Sequence, residues 1–410
     1  MRSDYPKIRH GLEAVPVVHQ GRHMLLVRDR LGLSPDSLLL SPPAAQIVFL
    51  MNGENSLLDL QAFYARMTGE ILFSETLRQI VHKLEENYFL ENENFTCLLQ
   101  ERISQFLSDP VRRPAHAGVS YSSDPESLRV ELESFLAREG SQPPFPIKSA
   151  DDHGRKVAGI VAPHIDLKAG GPCFARAYEA GLGCCPPDTW IVLGTGHEPI
   201  ENYFALCPKD FETPIGIVPC DVQCCEELVS NAPRDIRVGE YSHCREHTIE
   251  FQAVFLACFQ PGARIVPLLC SFSHQDWESD RAYIDGMACL IGEIVEKAKC
   301  RIGLIASVDL AHVGPRYGDP FQPHAGTLRE HLRADRELLT CLENCDSAGF
   351  MNRIVRERNS RKVCGAPPLY VFAKALEGKA RGEILEQSHA VVDNRNSFVT
   401  FAAMVFYEQG

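Results

Sequence analysis

From residue 155 onward, apolar runs of strand length alternate with stretches whose apolar positions recur at helical spacing. Val157–Val161 and Trp190–Leu193 are short, β-branched and uninterrupted, the pattern of strands buried on both faces. Between them, Gly170–Ala180 carries small and aromatic residues at helical intervals, so the stretch reads as strand, helix, strand. Arg264–Cys270, Arg301–Ser307 and Ser397–Phe406 repeat the strand pattern. Helices are predicted at Cys220–Ser230, Glu250–Phe259, Asp276–Ala298, Pro323–Cys341 and Pro368–Leu376. Alternation of this kind predicts an α/β fold, a largely parallel central sheet flanked by helices.

The N-terminal pattern differs. Ala14–Val18 and Met24–Val27 read as strands joined by a turn; helices follow from Pro42 to Gly53, Leu57–Thr68 and Ser74–Asn87, and ENYFLENENF reads as a returning strand. Strands, three helices and a wing predict a small winged-helix-like domain over residues 1–95. Residues 96–150 read as a connector: a helix at Thr96–Leu107, a second beginning at Asp124-Pro125, and the Pro-rich hinge QPPFPIK. The α/β domain then occupies 151–410.

Composition narrows the function. A chain of 410 residues that is 45% apolar and 23% charged suits a globular enzyme-sized protein with more than one domain. The formal charge of −13 argues against a general nucleic-acid surface, and the last N-terminal helix, SETLRQIVHKLEEN, mixes acids and bases with no basic face. No apolar run is long enough to span a bilayer, and the opening MRSDYPKIRHGLEA lacks the apolar core of a secretory leader, so the expected location is the cytosol. Sixteen cysteines are scattered without CxxC or zinc-ribbon spacing, which disfavours a disulfide framework or an iron–sulfur cluster.

The candidate chemistry collects at strand ends. His164 follows the first strand and His197 the second, at the carboxyl edge where ligands enter open parallel sheets. On neighbouring loops, the two imidazoles are placed to approach one metal ion. Near the start of a helix, His247 and Glu250 stand three apart, and His243 and His247 four apart. Asp309 and His312 follow the Arg301–Ser307 strand, where Asp309 can ligate a metal or orient His312. Cys364 precedes Gly365 and a helix-opening Pro pair, a position that lowers a thiol pKa. Each also has an ordinary structural reading: loop-capping histidines, an N-capping Asp309, a buried structural Cys364. Imidazoles with a thiolate or carboxylate suit iron, copper or zinc better than magnesium or calcium.

The stretches APHIDL, LGTGHEP, EHTIE, SVDLAHVG, the Asp335 helix and VCGAPP resemble, in order and spacing, the Memo family, labelled in prokaryotes AmmeMemoRadiSam system protein B. The likeness covers about 115 to 410. It implies a fold similar to class III extradiol dioxygenases of the LigB group, which bind non-haem iron. It implies metal ligation by His164, His197 and Cys364, with His247, Asp309 and His312 lining the pocket as catalytic groups. APHIDL departs from the Ala-Gly-Tyr of many members, and GTGHEP lacks their Ser before the histidine; both keep the ligand histidines and alter the walls. The N-terminal pattern is similar to PqqD-like peptide-binding domains that accompany radical-enzyme modification systems. The expected function is redox chemistry dependent on non-haem iron or copper in a pocket at the carboxyl edge of the sheet; the expected bound ion is iron, with copper or zinc as the other candidates. The alternative is a non-enzymatic metal-binding or docking component, with a small molecule, a peptide or a radical enzyme as partner. Hydrolysis through Cys364 and His312 is a third reading.

Overall fold

The computed structural model describes residues 4–136, 155–183 and 185–409. The Pro-rich hinge at 142–148 and Cys184 lie outside the described residues. The chain forms two compact units, divided between Ser108 and Asp109.

The first unit holds a three-stranded antiparallel sheet, Leu12–His19, Arg22–Asp29 and Leu38–Leu40 in that order, followed by helices Pro42–Phe49, Leu57–Thr68, Ser74–Glu86 and Glu93–Ser108. Val27, Ile47, Leu60, Leu77, Val81, Phe89 and Leu90 form its core. Ser56 opens the second helix with a capping box closed by Asp59. The expected returning strand reduces to one bridge between Ile8 and Leu90; from Glu93 the chain is helical, initiated by Asn92, whose side chain accepts the Phe95 N–H.

The second unit is built on an eight-stranded mixed sheet. Four strands run parallel in the order Val157–Ala162, Ile302–Ser307, Thr189–Thr195, Arg264–Cys270. Phe398–Glu408 joins one side antiparallel, paired in turn with Ala380–Val391 and His312–Val313, and Phe204–Leu206 closes the other side antiparallel. The sheet is therefore parallel only at its centre. Helices Leu167–Gly183 and His247–Phe259 cover one face, and Arg281–Lys297, Ser347–Arg356 and Ala366–Ala375 form a layer on the other. Covered on both sides, the four parallel strands are buried almost throughout.

Most helices begin within a few residues of their predicted starts, but Asp276–Ala298 divides into His274–Ser279 and Arg281–Lys297. Asp280 breaks it: its backbone is non-helical and its carboxylate pairs with Arg234. The Ala380–Val391 strand and the Ser347–Arg356 helix carry no prediction, the strand because its Glu-rich, half-exposed sequence lacks clean alternation.

The insertion of Ile302–Ser307 between the first two strands changes how the site is built. His164 and His197 do not lie on adjacent strands; a third strand separates them and ends level with both, Ser307 standing opposite Ala162 on one side and Gly194 on the other. His164, His197 and Asp309 each stand two residues past the end of their strand.

Residues 111–121 are strapped to the His247–Phe259 helix by one buried carboxylate. Glu250 pairs with the Arg112 guanidinium and accepts bonds from the Tyr121 hydroxyl and the N–H groups of Ala115 and His116. Burial would raise its pKa, but Arg112 and Tyr121 hold it below the usual glutamate value. The pair's contribution is therefore fully present above the ordinary carboxylate range and is lost below it, as pH falls toward the depressed native value. Arg112→Ala, which strands a buried charge, is expected to cost about 3–5 kcal/mol in urea unfolding at pH 7, with the deficit shrinking toward pH 4.

Candidate metal centre

His164 is buried at 2% exposure, and its Nδ1 lies 3.0 Å from the carbonyl of Ser307. A carbonyl only accepts, so Nδ1 carries the proton and Nε2 is left as a lone pair. Nε2 lies 3.3 Å from Cys364 Sγ. Burial, reinforced by the nearby His197 and His247, pushes the His164 pKa well below its ordinary value, so the ring is neutral and able to ligate.

His197 is oriented by a carboxylate. Its Nδ1 sits 3.1 Å from both oxygens of Glu246, whose Oε2 also accepts the His197 N–H at 3.1 Å. The ring also interacts with the Cys364 thiol. Glu246 is the N-cap of the His247–Phe259 helix, accepting from the N–H groups of His247 and Thr248. Burial alone would lower the His197 pKa; Glu246 and Cys364 outweigh it and hold the ring well above its ordinary value. Burial likewise opposes the Glu246 charge, and His197 and His247 hold its pKa well down.

Cys364 lies one residue before Gly365, the N-cap of the Ala366–Ala375 helix. Gly365 packs so close that a Cβ there would stand 2.5 Å from Val308 Cβ and 2.7 Å from the Asp309 carbonyl oxygen. Its N–H donates to that same carbonyl at 3.1 Å, which brings the Cys364 loop against the end of the central strand. The expected lowering of the thiol pKa is not found. Burial pushes it up and His197 only partly offsets this.

The ligand atoms of His164, His197 and Cys364 lie within 4.8 Å of one another, and those of His197, Glu246 and His247 form a second such group. His247 stacks on His197 at 5.0 Å between ring centroids and stands edge-on to His164 at 5.3 Å. Its Nδ1 is 3.0 Å from Glu246 Oε1.

Asp309 does not reach His312. Its Oδ1 accepts the N–H groups of His164 and Ile165 at 3.1 and 3.2 Å, and its Oδ2 is 3.6 Å from His164 Nε2. Burial raises its pKa to about 7 despite those two N–H donors. His312 is instead held by two carbonyls, Leu310 and Lys362, each 3.1 Å from Nδ1, with Tyr317 edge-on at 4.9 Å. Burial lowers the His312 pKa to about 4. With Nδ1–H held by the carbonyls, its Nε2 is an acceptor.

His243 and Glu250 stand apart from this centre. His243 is buried with Nε2 2.8 Å from the carbonyl of Ala205, so it forms no i,i+4 metal pair with His247. Glu250 is consumed by Arg112 and Tyr121. Residues not singled out from the sequence also contribute: Glu246, Tyr317 and His116, the last 5.6 Å from the His247 ring. The Asp335 carboxylate pairs with Arg361, whose carbonyl accepts the His312 N–H at 2.9 Å.

Beneath the centre, the buried Gln252 amide donates to the Pro163 carbonyl and the Ser307 hydroxyl, both at 2.8 Å, and accepts from Tyr178. Ser307 Oγ in turn donates to the Thr248 carbonyl at 2.6 Å. One side chain thus ties the His164 loop to the central strand.

The family profile described as Memo-like protein matches residues 112–405. A MEMO1 family protein of Aquifex aeolicus is 28% identical over 384 residues, covering 93% of this chain and 96% of its own. A MEMO1 family protein of Methanosarcina barkeri is 28% identical over 300 residues, 72% of this chain and 99% of its own. One from Sulfurisphaera tokodaii is 30% identical over 293 residues, 67% and 95% respectively. With the profile spanning all but the last three residues of the sheet and every residue of the candidate centre, the chain belongs to the Memo-like protein family.

Proposed function

We propose that the chain holds one transition-metal ion through His164, His197 and Cys364 and uses it for redox chemistry, with iron the first candidate and copper the alternative; zinc fits the same donors but has no redox chemistry of its own. The observation that carries this reading is the convergence of three donor atoms within 4.8 Å, with the remaining nitrogen of each imidazole already engaged by the protein. Two imidazoles and a thiol are donors for these ions and poor ones for magnesium or calcium. Bound iron or copper would supply the electron-transfer chemistry that side chains lack.

The chain's own groups divide the remaining work. Ser307 and Glu246 orient the two imidazoles and set their tautomers. Asp309, with a pKa near 7, holds or releases a proton beside His164 at neutral pH. His247 and the neutral His312 are the acid–base candidates, His312 offering an acceptor nitrogen across the physiological range. In this reading the first unit docks a peptide or a protein partner of a modification system working in the cytosol.

The thiol and the elevated His197 each carry a proton that an ion must displace. Metal uptake at pH 7 is therefore expected to release protons and to tighten as pH rises. Titration in two buffers of different ionisation enthalpy measures this; uptake without proton release contradicts it. Glu246→Gln keeps a similar shape but removes the charge behind His197, and should weaken metal binding about 10–100-fold, read by competition with a chromophoric chelator. Anaerobic purification followed by metal analysis and oxygen-uptake assays with phenolic and thiol substrates tests the redox reading: bound iron or copper with turnover supports it, and zinc without turnover overturns it.

A further inference from the structure

A second thiol site lies at the opposite edge of the same sheet. Cys220 Sγ and Cys225 Sγ are 3.4 Å apart. Cys220 bridges Ile265, next to the first residue of the Arg264–Cys270 strand, whereas the metal centre stands past the strands' carboxyl ends. The five steps from Ile265 to Cys270 span about 16 Å along the sheet, and the metal centre lies beyond that end.

We propose that Cys220 and Cys225 are a reversible disulfide site, formed by peroxide or by a small disulfide oxidant and reopened by a dithiol reductant. The local backbone brings the two sulfurs together. The Cys220 N–H donates to Asp210 Oδ1 at 2.8 Å. Asp221 caps the Val222–Asn231 helix, accepting the Cys224 N–H on its side chain, and its carbonyl accepts the Cys225 N–H at 3.0 Å. The first turn of that helix therefore carries the Cys225 side chain back over Cys220. A disulfide bond requires the sulfurs to close by roughly 1.4 Å, a change within reach of side-chain rotation.

The two sulfurs differ in access, and this sets the order of events. Cys220 is 8% exposed and Cys225 1%. Cys220 attacks the peroxide oxygen, releasing hydroxide that is protonated to water and leaving a sulfenic acid. Cys225 then attacks the Cys220 sulfur, and the departing hydroxide takes up the Cys225 proton as a second water. Two thiols and one peroxide thus give one disulfide and two waters. Burial makes the first step slow, because the oxidant reaches Cys220 only through its 8% exposure. Contact makes the second fast, because the resolving thiol is already in place.

The test is peroxide treatment of the full-length protein, alkylation of remaining thiols, and peptide mapping after cleavage before Asp221, which separates the two cysteines. The expected result is a peptide joined through Cys220, cleaved by a dithiol reductant, retained in Cys224→Ser and Cys364→Ser, and absent in Cys225→Ser. Retention in Cys364→Ser separates this site from the metal centre, whose failure would leave it untouched. Recovery of Cys220 and Cys225 as alkylated thiols in wild-type protein whose exposed Cys97 and Cys289 have been oxidised would overturn the proposal. So would linkage of Cys220 to any other cysteine.

Discussion

The hydrogen bond from His164 Nδ1 to the Ser307 carbonyl decides what the centre can be. It removes one nitrogen from competition and aims the other at Cys364. The carbonyl is available because Ile302–Ser307 lies between the two histidine-bearing strands, so its last residue faces both loops. Gln252 keeps that geometry fixed from below, bonding the Pro163 carbonyl that precedes His164 and the hydroxyl of Ser307. Each of these groups is buried and partnered, and losing one partner costs more than forming the bond gains.

Electrostatics then separate two imidazoles that begin alike. His164 has a carbonyl behind it and is surrounded by other rings, so burial keeps it neutral. His197 has a carboxylate behind it and a thiol before it, and is held protonated in the absence of an ion. The thiol is protonated as well. The site therefore stores protons where a cation would place charge, and the stacked His247 shares the Glu246 carboxylate.

Much of this was legible in the sequence because strand ends are visible in it. Buried strands are continuous apolar runs, and His164, His197 and Asp309 each stand just past one, a regularity of spacing rather than of composition. Cys364 was marked by the glycine and proline pair behind it, and the structure explains the glycine through its contact with Val308 and Asp309. Strand order was not legible: parallel strands joined by helices pair in any order consistent with right-handed crossovers, so the interposed strand and the Ser307 carbonyl stayed hidden. Glu246 carries no role in the sequence reading: it caps the His247–Phe259 helix, and its second task, orienting His197, depends on a contact 49 residues away in sequence. Of the two roles offered for Asp309, metal ligation and the orientation of His312, the second is not found, for a related reason. Proximity in sequence favoured His312, whereas the sheet register brings the His164 N–H within reach first. In the first unit the ENYFLENENF stretch reads as a returning strand, yet Asn92 starts a helix that takes the chain over.

The account rests on Cys364 being a metal ligand together with both histidines. X-ray absorption at the metal edge of protein purified with its native ion tests this directly. The account predicts one sulfur and two imidazole nitrogens in the coordination shell, with the sulfur lost in Cys364→Ser. A shell of nitrogen and oxygen alone in the wild-type protein would contradict it.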